Sequence, residues 1–469
     1  MNGTFAALRQ RNFRIWMGAG FVSTTGSWMQ TLAINWYVLQ STGSAARMGF
    51  TLLLQALPVL LISSWAGALA DRLPGRRLLI VTQLSHASLA VGLAVVVTGH
   101  LGILPIYLIS VAGGLVNAVE GPAMGRFTSS TVDADRLSNA LSLGSLSNSA
   151  GRIIGMSLGG LAVAAIGPAP LFLGNAASFL AVIGALLVVR THEVVVPVEE
   201  NSAGVRAGLR YVLRQPMVLI ALGLAAMLGS LGRNYQITMA SMSNGPLHAG
   251  ASGYGMLSTI FAVGTVLGGL AAARRPHLGY RTLVGAGLIA STLQLTLGLV
   301  GGVWAFGALL LPIAAGAVLV DTTVATRVQL DTRVDMRGRV LAALGMTSAL
   351  SSALGGQLLG WLCEAVGPRD TLVLAGAVTA IASMAAGVAF AARRDCPLRP
   401  SEVGRTLMAG VRHVPDQRGP RPAGRRPPGR LIGPRIAGRA THAPLAGHGR
   451  VAHGPVVHAP TARRVGAKP

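Results

Sequence analysis

The chain alternates between long apolar runs and short arginine-rich joints, and one joint shows what that alternation demands. The apolar run from about Met48 to Ala70 stops at Asp71, the arginines Arg72, Arg76 and Arg77 follow, and a second apolar run begins at Leu78. As a helix, either run is long enough to span a hydrocarbon core of ~30 Å. The joint between them is too short to cross it, so the two runs form a hairpin. Arginine favours cytoplasmic loops, which predicts that the joint faces the cytoplasm.

Extended along the chain, the same reading predicts an all-α integral membrane protein of twelve transmembrane helices. The first runs from about Phe13 to Leu39, the third from Leu78 to Thr98, the fourth from Ile103 to Gly125 and the fifth from Ser138 to Ile166; the sixth ends at Arg190. The next five cover about Met217–Ala240, Ser252–Ala273, a run ending near Val300, Trp304–Ala325 and Val340–Val366, and the last covers Asp370–Ala392. In this layout sixteen loop arginines lie on one side, opposed only by Arg47 and Arg369. An even number of spans then places both termini in the cytoplasm. The first apolar run is followed by many others, so a cleaved signal peptide is not expected.

Composition supports the reading. Hydrophobic residues make up 51% of the 469 and charged residues 12%, about half the share usual for a soluble domain. The formal charge of +24 is spread unevenly: residues 396–469, rich in Pro, Gly, Arg and His and without periodicity, carry half of it. That segment reads as a disordered basic tail rather than a nucleic-acid-binding region. The domain layout expected is a six-helix bundle over 1–190, a polar cytoplasmic linker over 191–215, a second six-helix bundle over 216–395, and the tail. Residues 204–214 of the linker could form a short surface helix edged by Arg206, Arg210 and Arg214. Cys363 and Cys396 suggest neither a disulfide framework nor a metal site.

The two bundles look like copies. At a shift of 201 residues Glu120 falls on Asp321, Arg126 on Arg327, Arg136 on Arg337, Gly155 on Gly356 and Gly159 on Gly360. Residues 1–395 contain only 13 acids, so the coincidence of two of them carries weight. This is the pattern of parallel six-helix repeats.

Several side chains stand out against this background. Arg152 lies about 14 residues into the fifth helix, roughly 20 Å deep, where a charge must meet water, an anion or a carboxylate; it serves either a transport pathway or an interhelical contact. Gly151, Gly155 and Gly159 recur every four residues beside it and, with Gly160 and the later Gly356 and Gly360, predict close helix packing. Glu120 and Asp321 lie near helix ends and either relay protons or pair with Arg126 and Arg327. His86, within the third helix, can titrate or be structural. Gln30 and Asn35 form one polar cluster, and Arg233, Asn234 and Gln236 another.

The stretch Gly67 to Asp71 and Arg72, followed by Gly75, Arg76 and Arg77, resembles the helix 2–3 signature of the major facilitator superfamily. The start of the chain, with Phe13, Trp16, Gly26, Trp28 and Gly43, and the later Arg337, Arg339 and Val340 resemble its branch of enterobactin exporters and macrolide effluxers. The fifth helix resembles the drug-exporter antiporter signature, with Met156 where that signature has proline. The resemblance implies the two-bundle fold and alternating access. It implies that Asp71 with Arg72, Arg76 and Arg77 helps hold the cytoplasmic side closed, although Asp71 could equally be a topology-setting surface charge. It also implies that the polar clusters of helices 1 and 7 line the pathway. The activity it implies is proton-coupled efflux of a drug-like or siderophore-like compound by a monomer in the cell membrane. An importer of the same fold, or a non-transporting membrane sensor, are the alternatives. No phosphate-binding loop, metal set or catalytic constellation accompanies these features, so no enzyme and no cofactor beyond a proton gradient is expected.

Overall fold

The computed structural model describes residues 6–133, 136–189, 213–232, 234–275, 278–333 and 336–392. The linker helix expected over 204–214 falls almost wholly outside these residues, and the tail falls outside them entirely. After a 3₁₀ turn at Ala6–Arg9, the first half comprises α1 (Arg11–Thr42), α2 (Ala45–Arg72), α3 (Gly75–Thr98), α4 (Leu104–Ser130), α5 (Leu137–Ile166) and α6 (Ala169–Val188). The second comprises α7 (Pro216–Leu231), α8 (Tyr235–Asn244), α9 (Gly250–Ala273), α10 (Tyr280–Leu299), α11 (Val303–Leu330), α12 (Arg337–Ala365) and α13 (Pro368–Ala392). Ten stretches are long and apolar enough to cross a membrane, with α7 and α8 together making one. The remaining two passes, α1 and α12, are long enough at 32 and 29 residues but are more polar.

The chain repeats its packing as well as its sequence. In the first half α1 lies on α5 and α6, α2 on α4, and α3 on α4 and α6. In the second α7 lies on α12 and α13, α9 on α11, and α10 on α11 and α13. Equivalent turns share their chemistry: Gly167 and Gly367 take φ of 79° and 89°, which favour glycine, and each is followed by the proline that opens the next helix.

Three predicted elements need correction. The seventh pass is not one helix from Met217 to Ala240 but two, interrupted at residues 232–234. Gly232 ends α7, and Asn234 starts α8 with its amide turned back to the carbonyls of Ser230 (3.1 Å) and Gly229 (3.4 Å). An asparagine that bonds local backbone competes with continued helix. Helices α4 and α11 run about five residues past their predicted ends, to Ser130 and Leu330, because the serines and threonines there return their hydroxyls to backbone carbonyls within the helix.

The halves meet along α2–α12 and α5–α9. Among the described residues, every glycine-to-backbone contact between them lies at one end, that of Ser44, Gly167 and Gly367. A Cβ on Gly160 would stand 2.4 Å from the Gly255 Cα, one on Gly49 2.6 Å from the Gly356 carbonyl, and one on Gly360 2.5 Å from the Ala45 carbonyl. At the same end the Glu364 carboxylate of α12 reaches across to the first turn of α2, accepting from the Ser44 hydroxyl and from the Ala46 amide (3.0 Å).

Gly160→Leu should force this end apart. In a background lacking Cys363 and Cys396, a cysteine at Ala46 should then react with a membrane-impermeant maleimide on the order of tenfold faster than without the substitution, the scale of an overpacked contact. Unchanged reactivity would mean that this end is not sealed by backbone contact.

Candidate functional site

Helix α1 borders two cavities among the described residues. The first, of about 470 Å³, lies between the halves. Its charged residue is Arg152 of α5; the other described lining residues are uncharged, among them Asn234, Gln236, Ser258, Phe261 and Trp28. The glycine seam positions the arginine. Gly151, Gly155 and Gly159 press α5 onto α1, at Thr24, at the Thr25 carbonyl with Trp28, and at Met29 respectively. Gly160 is turned instead towards α9. Arg152 emerges beside that seam. Its guanidinium donates to the Thr265 hydroxyl of the opposite half and sits over the Trp28 ring, 5.7 Å from the centroid. A cation on an indole face gains about 0.5–2 kcal/mol, well short of the cost of removing a guanidinium from water.

The break in the seventh pass forms another wall of this cavity. Asn234 accepts from Ser352 of α12 (3.2 Å), and Gln236 accepts from Asn35 of α1 (3.3 Å), a contact across the halves. Gln294 of α10 stabilises the break from behind: it donates to the freed Leu231 carbonyl (2.8 Å) and accepts from the Tyr235 hydroxyl (3.2 Å). Irregular backbone inside a bilayer persists where it lines a cavity and finds partners of this kind. Ser258 is buried on the cavity wall, and its hydroxyl is unpartnered among the described residues.

The second cavity, of about 480 Å³, lies inside the first half among α1, α3, α4, α5 and α6, with Gln55 of α2 also in its lining. Glu120 and His86 face it. His86 Nε2 is 2.8 Å from one Glu120 oxygen, and Gln83 donates to the other at 2.6 Å. The imidazole stacks on Phe179 (5.2 Å between centroids), and the pair is 13–14% exposed. Gln83 and His86 of α3 thus engage both oxygens of Glu120. Gln30 also belongs here, accepting from Asn175 of α6 (2.9 Å).

The structure thus gathers Arg152, Asn234 and Gln236 into one site, with Asn35 bonded at its edge, and sends Gln30, His86 and Glu120 to the other. Arg233 and the Asp71 side chain lie outside the described residues; the backbone of α2 is helical through Asp71. Arg72, Arg77 and Arg126 are exposed, and Arg76 and Asp321 are half-buried. Arg327 donates to the Leu278 carbonyl (2.6 Å) and lies over the Tyr280 ring, whose hydroxyl bonds Asp331. Sequence reasoning missed Thr265, Ser258, Gln83, Gln294 and Glu364. Of these Gln83 had a signal, standing one helical turn before His86.

Residues 2–402 match the family model described as transmembrane secretion effector, a family of major facilitator transporters. The chain belongs to that family. Over 193 residues, 40% of its length, the transporter is 28% identical to the Staphyloferrin A transporter of Staphylococcus aureus, and the match spans about half (48%) of that protein. Over 397 residues it is 25% identical to the uncharacterized MFS-type transporter YfiS of Bacillus subtilis, covering 78% of this chain and 90% of that one. Its fold matches the crystal structure of the nucleoside transporter NupG (TM-score 0.66, 14% identity, 81% of this chain and 99% of that one). It also matches an inward-facing bacterial homologue of the iron transporter ferroportin (TM-score 0.66, 15% identity, 80% and 98%). The transporter is a multi-pass membrane protein and, like its family, not an enzyme.

Gln294→Leu should destabilise the transporter by about 1–3 kcal/mol, since it strands both the Leu231 carbonyl and the Tyr235 hydroxyl. Tyr235→Phe, which strands neither, should cost less. Thermal melts of the detergent-purified proteins check the order; equal melts would show that the break does not depend on Gln294.

Proposed function

We propose that this transporter is a secondary exporter of organic anions, driven by the proton gradient and working by alternating access around Arg152. The observation that carries the reading is a guanidinium on the wall of a cavity between the halves, with a threonine hydroxyl and an indole face, but among the described residues no carboxylate, against it. A part-buried cation of this kind at membrane depth leaves its charge to be answered by a ligand or water. A planar donor fork suits a carboxylate. Trp28 and Phe261 offer apolar surface for the rest of an aromatic or aliphatic molecule, and Asn234, Gln236 and Ser258 offer hydrogen bonds. The family's description as a secretion effector supports export, and the Staphyloferrin A transporter among its relatives supports a siderophore-like substrate.

In this reading the arginine-bearing loops and both termini face the cytoplasm, and the protein acts as a monomer in the cell membrane. The end sealed by Gly160, Gly255 and Glu364 then faces outwards, and the described conformation is the one that receives substrate from inside. Asp71, Arg72, Arg76 and Arg77, with Asp321 and Arg327, form the cytoplasmic gate that closes when the outer end opens.

Inverted membrane vesicles with an acid interior test this reading. The anionic dye carboxyfluorescein should accumulate and a cationic rhodamine of the same ring system should not, and a protonophore should abolish the uptake. Arg152→Met should lower uptake per folded molecule roughly tenfold to a hundredfold, the worth of a charge-assisted bond. Arg152→Lys, which keeps the charge and loses the planar fork, should fall between. Accumulation of the cation alone, or normal turnover in both variants, would end the organic-anion reading.

A further inference from the structure

The second cavity holds a titratable site that transport at Arg152 does not use. Among its described lining residues, His86 and Glu120 are the titratable ones. The helices around it carry other charges: Arg11 and Arg14 on α1, Arg76 and Arg77 on α3, Arg126 on α4 and Arg152 on α5. None of these lines the cavity, and α6 carries no charged residue. Helix α2, which lines it through Gln55, adds Arg47 and Arg72, which do not line it, and Asp71, whose side chain is not described. The pair is therefore held by neutral polar groups. Gln83 occupies one carboxylate oxygen, the imidazole the other, and Phe179 supports the ring.

We propose that the His86–Glu120 pair is the proton-carrying site of this transporter. The inference rests on the proton-driven reading above and supplies its missing group. With the imidazole neutral and its Nε2–H donating to Glu120, the pair carries one negative charge. A proton taken from water at the other ring nitrogen gives an imidazolium–carboxylate pair of zero net charge. The hydrogen bonds to Glu120 are the same in both states, so loading changes the charge without rearranging the contacts. A net charge is costly to enclose in a low-dielectric interior and a neutral hydrogen-bonded pair is much less so. The substrate-free transporter can thus close its cavity off from water with the proton aboard and resists closing without it, so that its return step carries a proton, as exchange of substrate for proton requires. Both cavities share a wall at Trp28, whose ring lies under the Arg152 guanidinium. A change in the packing of α1 around the loaded pair therefore bears directly on the substrate site.

The test uses the full-length transporter in proteoliposomes with carboxyfluorescein as probe, comparing wild type with Glu120→Gln and His86→Gln. Two rates are read: accumulation driven by an imposed pH gradient, and dye-for-dye exchange without one. Gradient-driven accumulation should fall roughly tenfold or more, the usual size of a coupling between sites, while exchange stays within about twofold. Accumulation that survives in both variants overturns the proton site. Absence of both activities in wild type overturns the organic-anion reading instead, and a measurement without dye then decides for the pair. Infrared difference spectra of the purified wild-type protein between acid and alkaline pH should show a histidine ring band titrating with a shift in a carboxylate band. Glu120→Gln should remove that carboxylate shift. A spectrum in which the two bands do not titrate together overturns the proposal, whether or not either variant folds.

Discussion

At one end of the molecule the backbones of the two halves touch, and glycine permits it. Helices α5 and α9 cross where a Cβ on Gly160 would stand 2.4 Å from Gly255, and α2 meets α12 through Gly49, Gly356 and Gly360. In lipid there is little hydrophobic gain in bringing two apolar helices together, so dispersion and close approach must supply the attraction. Larger side chains at these positions would hold the halves apart. The cavity around Arg152 would then be open on both sides and its guanidinium would be bathed in water. The seal closes that cavity at one end, where Arg152 stays part-buried against Thr265 and Trp28.

The helices least suited to hydrocarbon are the ones that border a cavity. Among the long described helices, α1 and α12 are too polar to count as apolar spans, and both line the cavity between the halves. Their serines, threonines and amides are tolerated because they face one another or a cavity rather than lipid. Charge is divided just as sharply. The cavity between the halves presents a cation, and the cavity inside the first half presents an acid beside a base. The two sites are separated by α1 and share Trp28.

The fold was legible in the sequence because its rules are nearly local. A bilayer admits only helices here, their length is set by its thickness, and arginine marks one side of the loops. The repeat was legible because acids are rare enough in the core for Glu120 and Asp321 to be conspicuous. Arg152 was legible for the same reason, being costly at its depth. The break at Gly232 was not legible: glycine is common in membrane helices, and the residue that makes the break tolerable, Gln294, lies on a different helix. The contacts of Glu120 with Gln83 and His86 were not legible, because packing of α3 on α4 brings them together across 37 and 34 residues of chain. Thr265 and Ser258 had no signal, since a hydroxyl in a membrane helix usually returns to its own backbone.

The contact of Glu364 with the first turn of α2 joins two processes that are usually separate. A helix N-terminus exposes amides that need acceptors, and these normally come from a residue beside them in the chain. Ser44 supplies one such acceptor, to the Arg47 amide (3.0 Å), but the Ala46 amide is answered by a carboxylate 318 residues away. The start of α2 is thus completed only while the halves are together. Whenever this end parts, that helix loses a cap and its first turn is free to fray. The local order of α2 then follows the contact between the halves, and amide exchange at Ala46 becomes a clock for how long this end stays shut.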